Sequence, residues 1–234
     1  MTLQALVFDV FGTCVDWRGS IIRELTAYGQ RSGQPADWEK LADEWRRDGY
    51  IGPIRRILSG QEPYVDSDEL FRRKLKELLL RYGVGAASVD EVREVSLSWR
   101  KLDPWPDTVD GLRRLKQKFT IAPLSNGTFA TLTSMARYGG LPWDCIISTD
   151  LQTTYKPHPD AYLLAPNLLD LQPDEVMLVA AHSNDLKGAQ QVGLHTALVP
   201  RPQEWGANGT GDTPDPSFDY VATDFGDLAR QLGC

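Results

Sequence analysis

Near its start the chain reads Leu6-Val7-Phe8-Asp9-Val10-Phe11-Gly12-Thr13, an apolar run that leads into one carboxylate and a glycine turn. A continuous apolar run is typical of a parallel strand buried on both faces, so residues 5–8 are predicted to form a strand near the middle of a sheet. Asp9 then follows the carboxyl end of that strand, where open α/β sheets place ligands. Gly12 allows a sharp turn beside it. The pattern predicts a site around Asp9, whose carboxylate could act as a nucleophile.

The composition is that of an ordinary globular protein with an acidic balance. The chain has 234 residues, enough for one α/β domain plus an insertion. Apolar residues make up 41% and charged residues 24%, which is typical of a folded domain. The formal net charge of −7 argues against general nucleic-acid binding and against an anionic membrane surface. Small anionic substrates remain compatible with it, because a local site can be positive in an acidic protein.

The cysteines and the apolar segments indicate the compartment. Cys14, Cys145 and Cys234 are an odd number without metal-ligand spacing, so neither a disulfide framework nor a zinc site is expected. The sequence shows no charged leader segment and no apolar stretch of membrane-spanning length. We therefore expect a cytoplasmic protein.

After the first strand, the next hundred residues or so are dominated by helical periodicity. Turn signals at Gly52-Pro53, Gly60 to Pro63 and Gly83 to Ala87 separate these segments. An all-helical insertion of this size is within the usual range of a domain. The sequence predicts an inserted helical cap domain over residues 15–100, with helices at 20–31, 37–50, 66–82 and 88–99.

From Pro104 onward, apolar strands alternate with amphipathic helices. This alternation predicts parallel βαβ units and a doubly wound, Rossmann-like sheet, formed by residues 1–14 and 101–234. Residues 201–217 are rich in Gly, Pro and Asp and are predicted to be a long loop without assignable chemistry. The predicted strands are 120–124, 145–148, 176–180 and 195–199, and the predicted helices are 128–138, 159–169 and 185–192.

Four polar segments follow predicted strands. Each alone has an ordinary interpretation as a turn, a loop or a helix cap. The carboxyl ends of parallel strands meet at one sheet edge, however, so these segments are expected to converge. Their occurrence at four separate strand ends favours a catalytic site, formed by Asp9, Ser125-Asn126, Lys156 and Asp185.

These residues resemble the signature of the haloacid dehalogenase superfamily. That signature is an Asp-x-x-Gly-Thr after the first strand, a Ser or Thr after the second, a downstream Lys and a final acidic loop. The resemblance covers the whole chain, including the position of the cap. Within the superfamily the chain is most similar to the L-2-haloacid dehalogenases, on the segments Phe8 to Thr13, Leu124 to Gly127, Tyr155-Lys156-Pro157 with Tyr162, and Trp45-Arg46.

Two positions depart from the phosphatases of that superfamily. The resemblance implies a second Asp two residues after the nucleophile, as acid for a leaving alcohol, and Phe11 stands there instead. It also implies a magnesium-holding acid at the start of the acidic loop, where this chain has Ala181. We therefore expect neither a metal nor another cofactor. A phosphatase or other hydrolase acting on a small metabolite stays the alternative, and a non-catalytic binding protein is a third possibility.

The resemblance implies a two-step dehalogenation of short (S)-2-haloalkanoic acids to (R)-2-hydroxy acids. Asp9 would attack Cα, release halide and form an aspartyl ester, which water would hydrolyse at the Asp9 carboxyl carbon. Lys156 would keep Asp9 ionised. Asp185 would position or deprotonate the water, and His182 could share that role or merely bind a backbone carbonyl.

The remaining roles follow from the same resemblance. Thr13, Ser125 and Asn126 offer short hydrogen-bond donors for Asp9 or for the substrate carboxylate. Arg46 is the candidate halide acceptor, and Tyr50 lies on its helix face four residues later. Phe11, Tyr162 and Asn184 are further substrate-binding candidates. In the acidic loop, His182 and Asn184 replace the Asn and Trp of the dehalogenase pattern Ser-Asn-x-Trp-Asp. The resemblance also implies a homodimer whose other partners are only the haloacid and its halide.

Overall fold

The computed structural model describes residues 2–84 and 87–234. Its main sheet is six-stranded and parallel, with the order β5-β4-β1-β6-β7-β8. The doubly wound α/β class predicted from the sequence is confirmed. In chain order the strands are β1 (Ala5–Phe8), β2 (Val15–Asp16), β3 (Asp103–Pro104), β4 (Thr120–Ser125), β5 (Ile147–Ser148), β6 (Val176–Ala180), β7 (His195–Leu198) and β8 (Tyr220–Val221).

Strand β1 is central, and this explains its unbroken apolar run. Ala5 pairs with Thr120 of β4 on one side and with Val176 of β6 on the other. All four β1 residues are fully buried. Leu6 and Phe8 enter one apolar cluster while Ala5 and Val7 enter another, so the sheet is covered on both faces. The pairing with β6 continues to Asp9, whose N–H donates to the Val179 carbonyl at 3.0 Å.

Helices cover both faces of this sheet and fill the region between β2 and β3. None of those in the described residues is long and apolar enough to cross a bilayer. In chain order they are α1 (Trp17–Ser32), α2 (Trp38–Arg46), α3 (Gly52–Leu58), α4 (Ser67–Arg81), α5 (Val89–Ser96), α6 (Thr108–Leu115), α7 (Phe129–Gly139), α8 (Pro159–Leu169), α9 (Ser183–Gln191) and α10 (Phe225–Gln231).

A small antiparallel ribbon joins the helical segment to the sheet. Val15 of β2 pairs with Pro104 of β3, and Asp16 pairs with Asp103. The chain therefore leaves the sheet and returns to it at the same place. Sequence patterns did not predict this ribbon, because two-residue strands are too short to show a periodicity.

The predicted break at Gly52-Pro53 is wrong. Helical backbone continues from α2 through a π-helical turn, Arg47–Ile51, into α3. Pro53 lies in the first turn of α3, where a missing N–H is tolerated. The π turn carries Tyr50 and follows Arg46 directly, and such turns recur at functional sites.

The C-terminal part also holds elements that were not predicted. The predicted long loop is followed by β8, which extends the sheet by one strand, and by α10, which packs on α6.

Two predicted elements have different bounds in the structure. Helix α5 ends at Ser96 and continues as a 3₁₀ turn to Arg100. The first residues predicted for β5 are irregular, and only Ile147 and Ser148 pair with β4.

Candidate active site

The predicted convergence at the sheet edge is present. Asp9 follows β1, Lys156 lies in the loop before α8, and Asp185 stands in the first turn of α9. Lys156 Nζ is 3.1 Å from Asp9 Oδ1 and 2.5 Å from Asp185 Oδ2. All three side chains are buried. We call Asp9, Lys156, Asp185 and Tyr162 the paired cluster, because each of their charged or polar ends has a partner.

Asp9 is held as a carboxylate. Burial by itself raises the pKa of Asp9, but Lys156, His182 and Thr13 together bring it well below its usual range. Thr13 Oγ1 donates to Asp9 Oδ2 at 2.8 Å and itself accepts from the Ala181 N–H at 2.9 Å, which fixes the direction of the hydroxyl proton. His182 Nδ1 lies 3.4 Å from the same Oδ2. The nucleophile candidate is therefore ionised and oriented.

Lys156 and Asp185 are positioned by two predicted residues. The Asn126 side-chain oxygen accepts from the Lys156 N–H at 2.8 Å, and its amide donates to the Lys156 carbonyl at 3.3 Å. Tyr162 donates its hydroxyl to Asp185 Oδ1 at 2.8 Å. Burial lowers the pKa of Lys156, but the two carboxylates outweigh it and keep the amine charged. Burial raises the pKa of Asp185, Lys156 opposes that change, and the nearby Asp9 charge adds to it.

His182 has a second carboxylate partner that sequence reasoning missed. His182 Nε2 lies 2.7 Å from Glu204 Oε2, and the Trp17 indole N–H donates to Glu204 Oε1 at 2.9 Å. Burial lowers the pKa of His182, but Asp9 and Glu204 together raise it to about 10. At neutral pH the ring is therefore an imidazolium between two carboxylates, and it has no free lone pair with which to deprotonate water.

The loop that carries Glu204 was predicted without a functional role, and the structure anchors it to the sheet edge. Arg201 Nε donates to the Thr13 carbonyl at 2.9 Å, and its guanidinium forms a two-pronged pair with Asp107 at 2.7 and 2.9 Å. Gly12, with φ +88°, leaves room for the loop, since a Cβ there would lie 2.1 Å from Glu204 Oε1. Sequence reasoning missed Glu204 because no spacing rule links it to Asp9, and because a loop rich in Gly and Pro is not expected to contain a buried acid.

Arg46 reaches the site from the helical segment. Its guanidinium carbon lies 4.3 Å from the Tyr50 ring centroid and 5.2 to 5.9 Å from those of Phe11, Trp17 and Trp99, and we call these four rings the aromatic cage. Arg46 is 6% exposed, and among the described residues its Nε and Nη1 have no hydrogen-bond partner. A buried cation with unpaired N–H groups costs free energy, so such a site favours an anion.

Between the paired cluster and the aromatic cage lies a cavity of about 240 Å³. Most of the predicted site residues line it, while Ile51, Arg55, Pro157, Glu204 and Trp205 were not predicted. The predicted residues in its wall are Asp9, Phe11, Arg46, Tyr50, Asn126, Lys156, Tyr162, His182, Asn184 and Asp185.

Two predicted donors lie behind the wall. Thr13 is fully buried and binds Asp9 as expected. Ser125 is also fully buried, but within the described part of the chain its hydroxyl has no hydrogen-bond partner. Asp9 and the substrate carboxylate were the two partners predicted for these donors, and Asn126 binds the Lys156 backbone rather than Asp9.

The donor set does not favour a metal ion. Residues 2–84 and 87–234 contain no group of three or more His, Cys, Asp and Glu side chains arranged to hold one. The Lys156 ammonium lies between the Asp9 and Asp185 carboxylates, where a bridging cation would otherwise sit.

Known proteins share this arrangement of fold and sequence. (S)-2-Haloacid dehalogenase 1 of Pseudomonas sp. (strain CBS-3) is 31% identical over 209 residues, which cover 87% of this chain and 88% of that protein. The structure of a defluorinating L-2-haloacid dehalogenase superposes with a TM-score of 0.94 at 42% identity, over 99% of this chain and 96% of the other. The L-2-haloacid dehalogenase of Xanthobacter autotrophicus, solved with chloropropionic acid covalently bound, gives a TM-score of 0.81 at 26% identity, over 99% and 98%.

The sequence model of one protein family matches most of the chain. It is the model of the haloacid dehalogenase-like hydrolases, and the match spans residues 3–193. The matched span includes Asp9, Lys156 and Asp185, the three charged residues that the fold brings together. The chain belongs to the haloacid dehalogenase-like hydrolase family.

Proposed function

We propose that the protein hydrolyses short (S)-2-haloalkanoic acids to (R)-2-hydroxy acids through an ester of Asp9. One observation carries the proposal: an ionised, oriented carboxylate lines the same small cavity as a guanidinium whose Nε and Nη1 have no hydrogen-bond partner among the described residues. The first can displace a leaving group from carbon, and the second can receive the anion that leaves. The similar dehalogenases of Pseudomonas and Xanthobacter support this chemistry.

In the first step Asp9 attacks Cα of the substrate. Oδ2 accepts from Thr13 and faces His182, whereas Oδ1 contacts Lys156, so we assign the new bond to Oδ1. The carbon–halogen bond breaks as the carbon–oxygen bond forms, and the halide takes the bonding electrons to the Arg46 guanidinium. Phe11 cannot donate a proton, and a halide ion needs none. The aromatic cage excludes water, which strengthens the attraction between halide and guanidinium.

In the second step water attacks the carboxyl carbon of the Asp9 ester. Asp185 accepts a proton from the water, and burial favours this because it raises the pKa of that carboxyl. The bond from the carboxyl carbon to Oδ1 then breaks, and the alkoxide takes the proton to become the 2-hydroxy acid. The second proton of the water is then lost to solvent, which restores Asp9 as a carboxylate with one oxygen from water, and the configuration at Cα is inverted.

The cavity and its polar wall support short acids as substrates. A volume of about 240 Å³ suits a two- or three-carbon acid. The cavity-lining Asn126 and Asn184 are the groups that we assign to the substrate carboxylate. Because one similar enzyme is described as defluorinating, fluoroacetate belongs among the substrates to be tested.

The phosphatase alternative finds less support in the site. Phe11 packs under the Arg46 guanidinium at 5.2 Å, so the position of a general acid is occupied by an apolar ring. Lys156 neutralises both carboxylates that a magnesium ion would need. We therefore propose a metal-independent reaction that needs no cofactor, and halide release should be unaffected by EDTA.

The proposal includes the organisation of the chain and its assembly. We assign residues 1–14 and 101–234 to a core domain and residues 15–100 to a helical cap, with the β2–β3 ribbon at their junction.

Exposed apolar side chains such as Leu80 and Val89, 60% and 74% exposed, support a homodimer formed through the cap. The described chain carries three free thiols, which fits a reducing cytoplasm. Size-exclusion chromatography with light scattering tests the dimer.

Halide release from both enantiomers of 2-chloropropionate, and from chloro-, bromo- and fluoroacetate, tests the proposed reaction. We expect release from the (S) enantiomer and from the haloacetates without added metal. A single turnover in ¹⁸O water should place the label in Asp9 rather than in the product. Label that appears directly in the hydroxy acid, or release of phosphate but not halide, would overturn the proposal.

A further inference from the structure

Glu204 is a buried acid to which neither the fold signature nor the proposed reaction assigns a role. It is 5% exposed, lines the cavity, and contacts the His182 and Trp17 side chains. The Gly12 backbone passes close to the carboxylate, since a Cβ at Gly12 would lie 2.1 Å from Glu204 Oε1. Because one oxygen of this carboxylate contacts His182, its charge affects the protonation state of the His182 ring.

We propose that Glu204 is a positioning residue that holds His182 as an imidazolium, so that His182 and Thr13 stabilise the oxyanion formed on Asp9 Oδ2 during ester hydrolysis. This inference rests on the proposed function. Both groups already point at the correct atom: Thr13 Oγ1 is 2.8 Å from Oδ2, and His182 Nδ1 is 3.4 Å from it. Fixed donors aimed at developing charge are a large source of catalysis.

The electron movement explains why the second step needs this arrangement. When water attacks the carboxyl carbon, the electron pair of the carbonyl bond moves onto Oδ2, and the proton of the water goes to Asp185. When the bond from carbon to Oδ1 breaks, the pair returns from Oδ2 and Asp185 gives the proton to the departing alkoxide. The resting carboxylate shares its charge between both oxygens and the ester carries none, so during hydrolysis a full negative charge returns to Oδ2.

Glu204 becomes essential at the ester stage. In the resting enzyme both Asp9 and Glu204 favour the charged ring. Once Asp9 is esterified it carries no charge, and of the described residues Glu204 is the carboxylate that still contacts His182. Lys156 and Asp185 lie beyond Asp9 and pair with each other, while the Arg201 charge in the same loop is taken by Asp107. Loss of the Glu204 charge then leaves a neutral ring opposite the oxyanion.

The test is the substitution Glu204→Gln, which keeps the shape and one of the two accepted hydrogen bonds but removes the charge. Rapid-quench measurement should show the first halide released at a rate within about twofold of the wild type, while steady-state turnover falls about tenfold or more. This loss is smaller than the roughly 10²–10³ that follows removal of a direct oxyanion donor. Intact-protein mass spectrometry should show the Asp9 ester accumulating. The exposed neighbour Gln203→Ala is the matched control and should leave both rates unchanged.

A double-mutant cycle separates positioning from structural support. If Glu204 acts through His182, the Glu204→Gln change should cost less than about twofold in a His182→Asn background. Equal losses in both backgrounds, or a halide burst that slows in parallel with turnover, would overturn the inference. A wild-type enzyme that releases no halide would instead defeat the proposed function itself.

One measurement does not depend on a variant that folds. Under this proposal both ring nitrogens of His182 carry a proton at about pH 8, whereas an unperturbed histidine is neutral there. The ¹⁵N spectrum of the wild-type enzyme distinguishes the two states, before substrate and with the ester formed. A neutral ring in the ester would refute the role of Glu204.

Discussion

The paired cluster and the aromatic cage bury charge in opposite ways, although they face each other across one cavity. In the paired cluster Lys156 has two carboxylate partners, and the second carboxylate accepts from Tyr162. In the cage the Arg46 guanidinium has four aromatic rings around it, and two of its donors find no partner among residues 2–84 and 87–234. The first group is therefore complete in the free protein, while the second leaves donors that our proposal assigns to an anion.

The largest expected effect comes from removal of the nucleophile in the paired cluster. Asp9→Asn keeps the size and most contacts but cannot form the ester, so halide release should fall about 10⁴-fold or more. Halide electrode assays measure this loss. Asp110→Asn, at an exposed acid, is the control and should retain full activity. Substantial halide release by Asp9→Asn would mean that water attacks Cα directly.

Breaking the charge balance of the same cluster should destabilise the fold. Lys156→Met leaves two buried carboxylates facing each other, which should lower the free energy of unfolding by about 3–5 kcal/mol. Urea denaturation measures this change. Lys187→Met removes a surface ion pair with Asp215 and should cost less than about 1 kcal/mol. Equal costs for the two variants would show that the cluster is not held together by its pairing.

Removal of the Arg46 charge from the aromatic cage should not destabilise the fold, in contrast to removal of the Lys156 charge from the paired cluster. Arg46→Met removes a buried, unpaired charge, so the free energy of unfolding should stay level or rise by about 1 kcal/mol. Turnover should still fall by about 10²–10³, because the halide loses its stabilising cation. Bromide should raise the melting temperature of the wild type but not of Arg46→Met. The exposed neighbour Arg47→Met is the control for both measurements.

A strong loss of stability in Arg46→Met would contradict this comparison between the two sites. It would mean that the four rings compensate the guanidinium fully in the free protein. Arg46 would then be a structural cation, and the missing hydrogen bonds would carry no information about a ligand.

The smallest effect concerns pH and the histidine between the two acids. The pKa of His182 is raised from 6.5 to about 10, so its contribution to stability is complete below about pH 6.5 and is lost as the pH rises toward 10. Between these values the free energy of unfolding of the wild type should fall relative to that of His182→Asn. Urea denaturation across this range measures the difference, with the exposed His158→Asn as control. Parallel pH profiles would show that His182 is neutral in the fold.

The two sites also differ in how well the sequence predicted them. Asp9, Lys156 and Asp185 were predicted together because each follows a strand, and the carboxyl ends of parallel strands share one edge. Arg46 was predicted as a halide acceptor, but Trp17 and Trp99 of its cage were not, since they lie at opposite ends of the helical segment. The ends of strands can be located from the sequence, whereas contacts between packed helices cannot.

The sequence by itself determined the sheet, the edge where the site forms and the identity of its central carboxylate. These properties follow from local patterns: an unbroken apolar run marks a buried strand, and the residue after it lies at the ligand edge. Only the tertiary structure decided that Glu204 meets His182, and that Ser125 Oγ and two donors of the buried Arg46 have no partner in the described part of the chain. Those outcomes depend on distances between segments far apart in the chain, and hydrogen bonding and desolvation are set by such distances rather than by residue type.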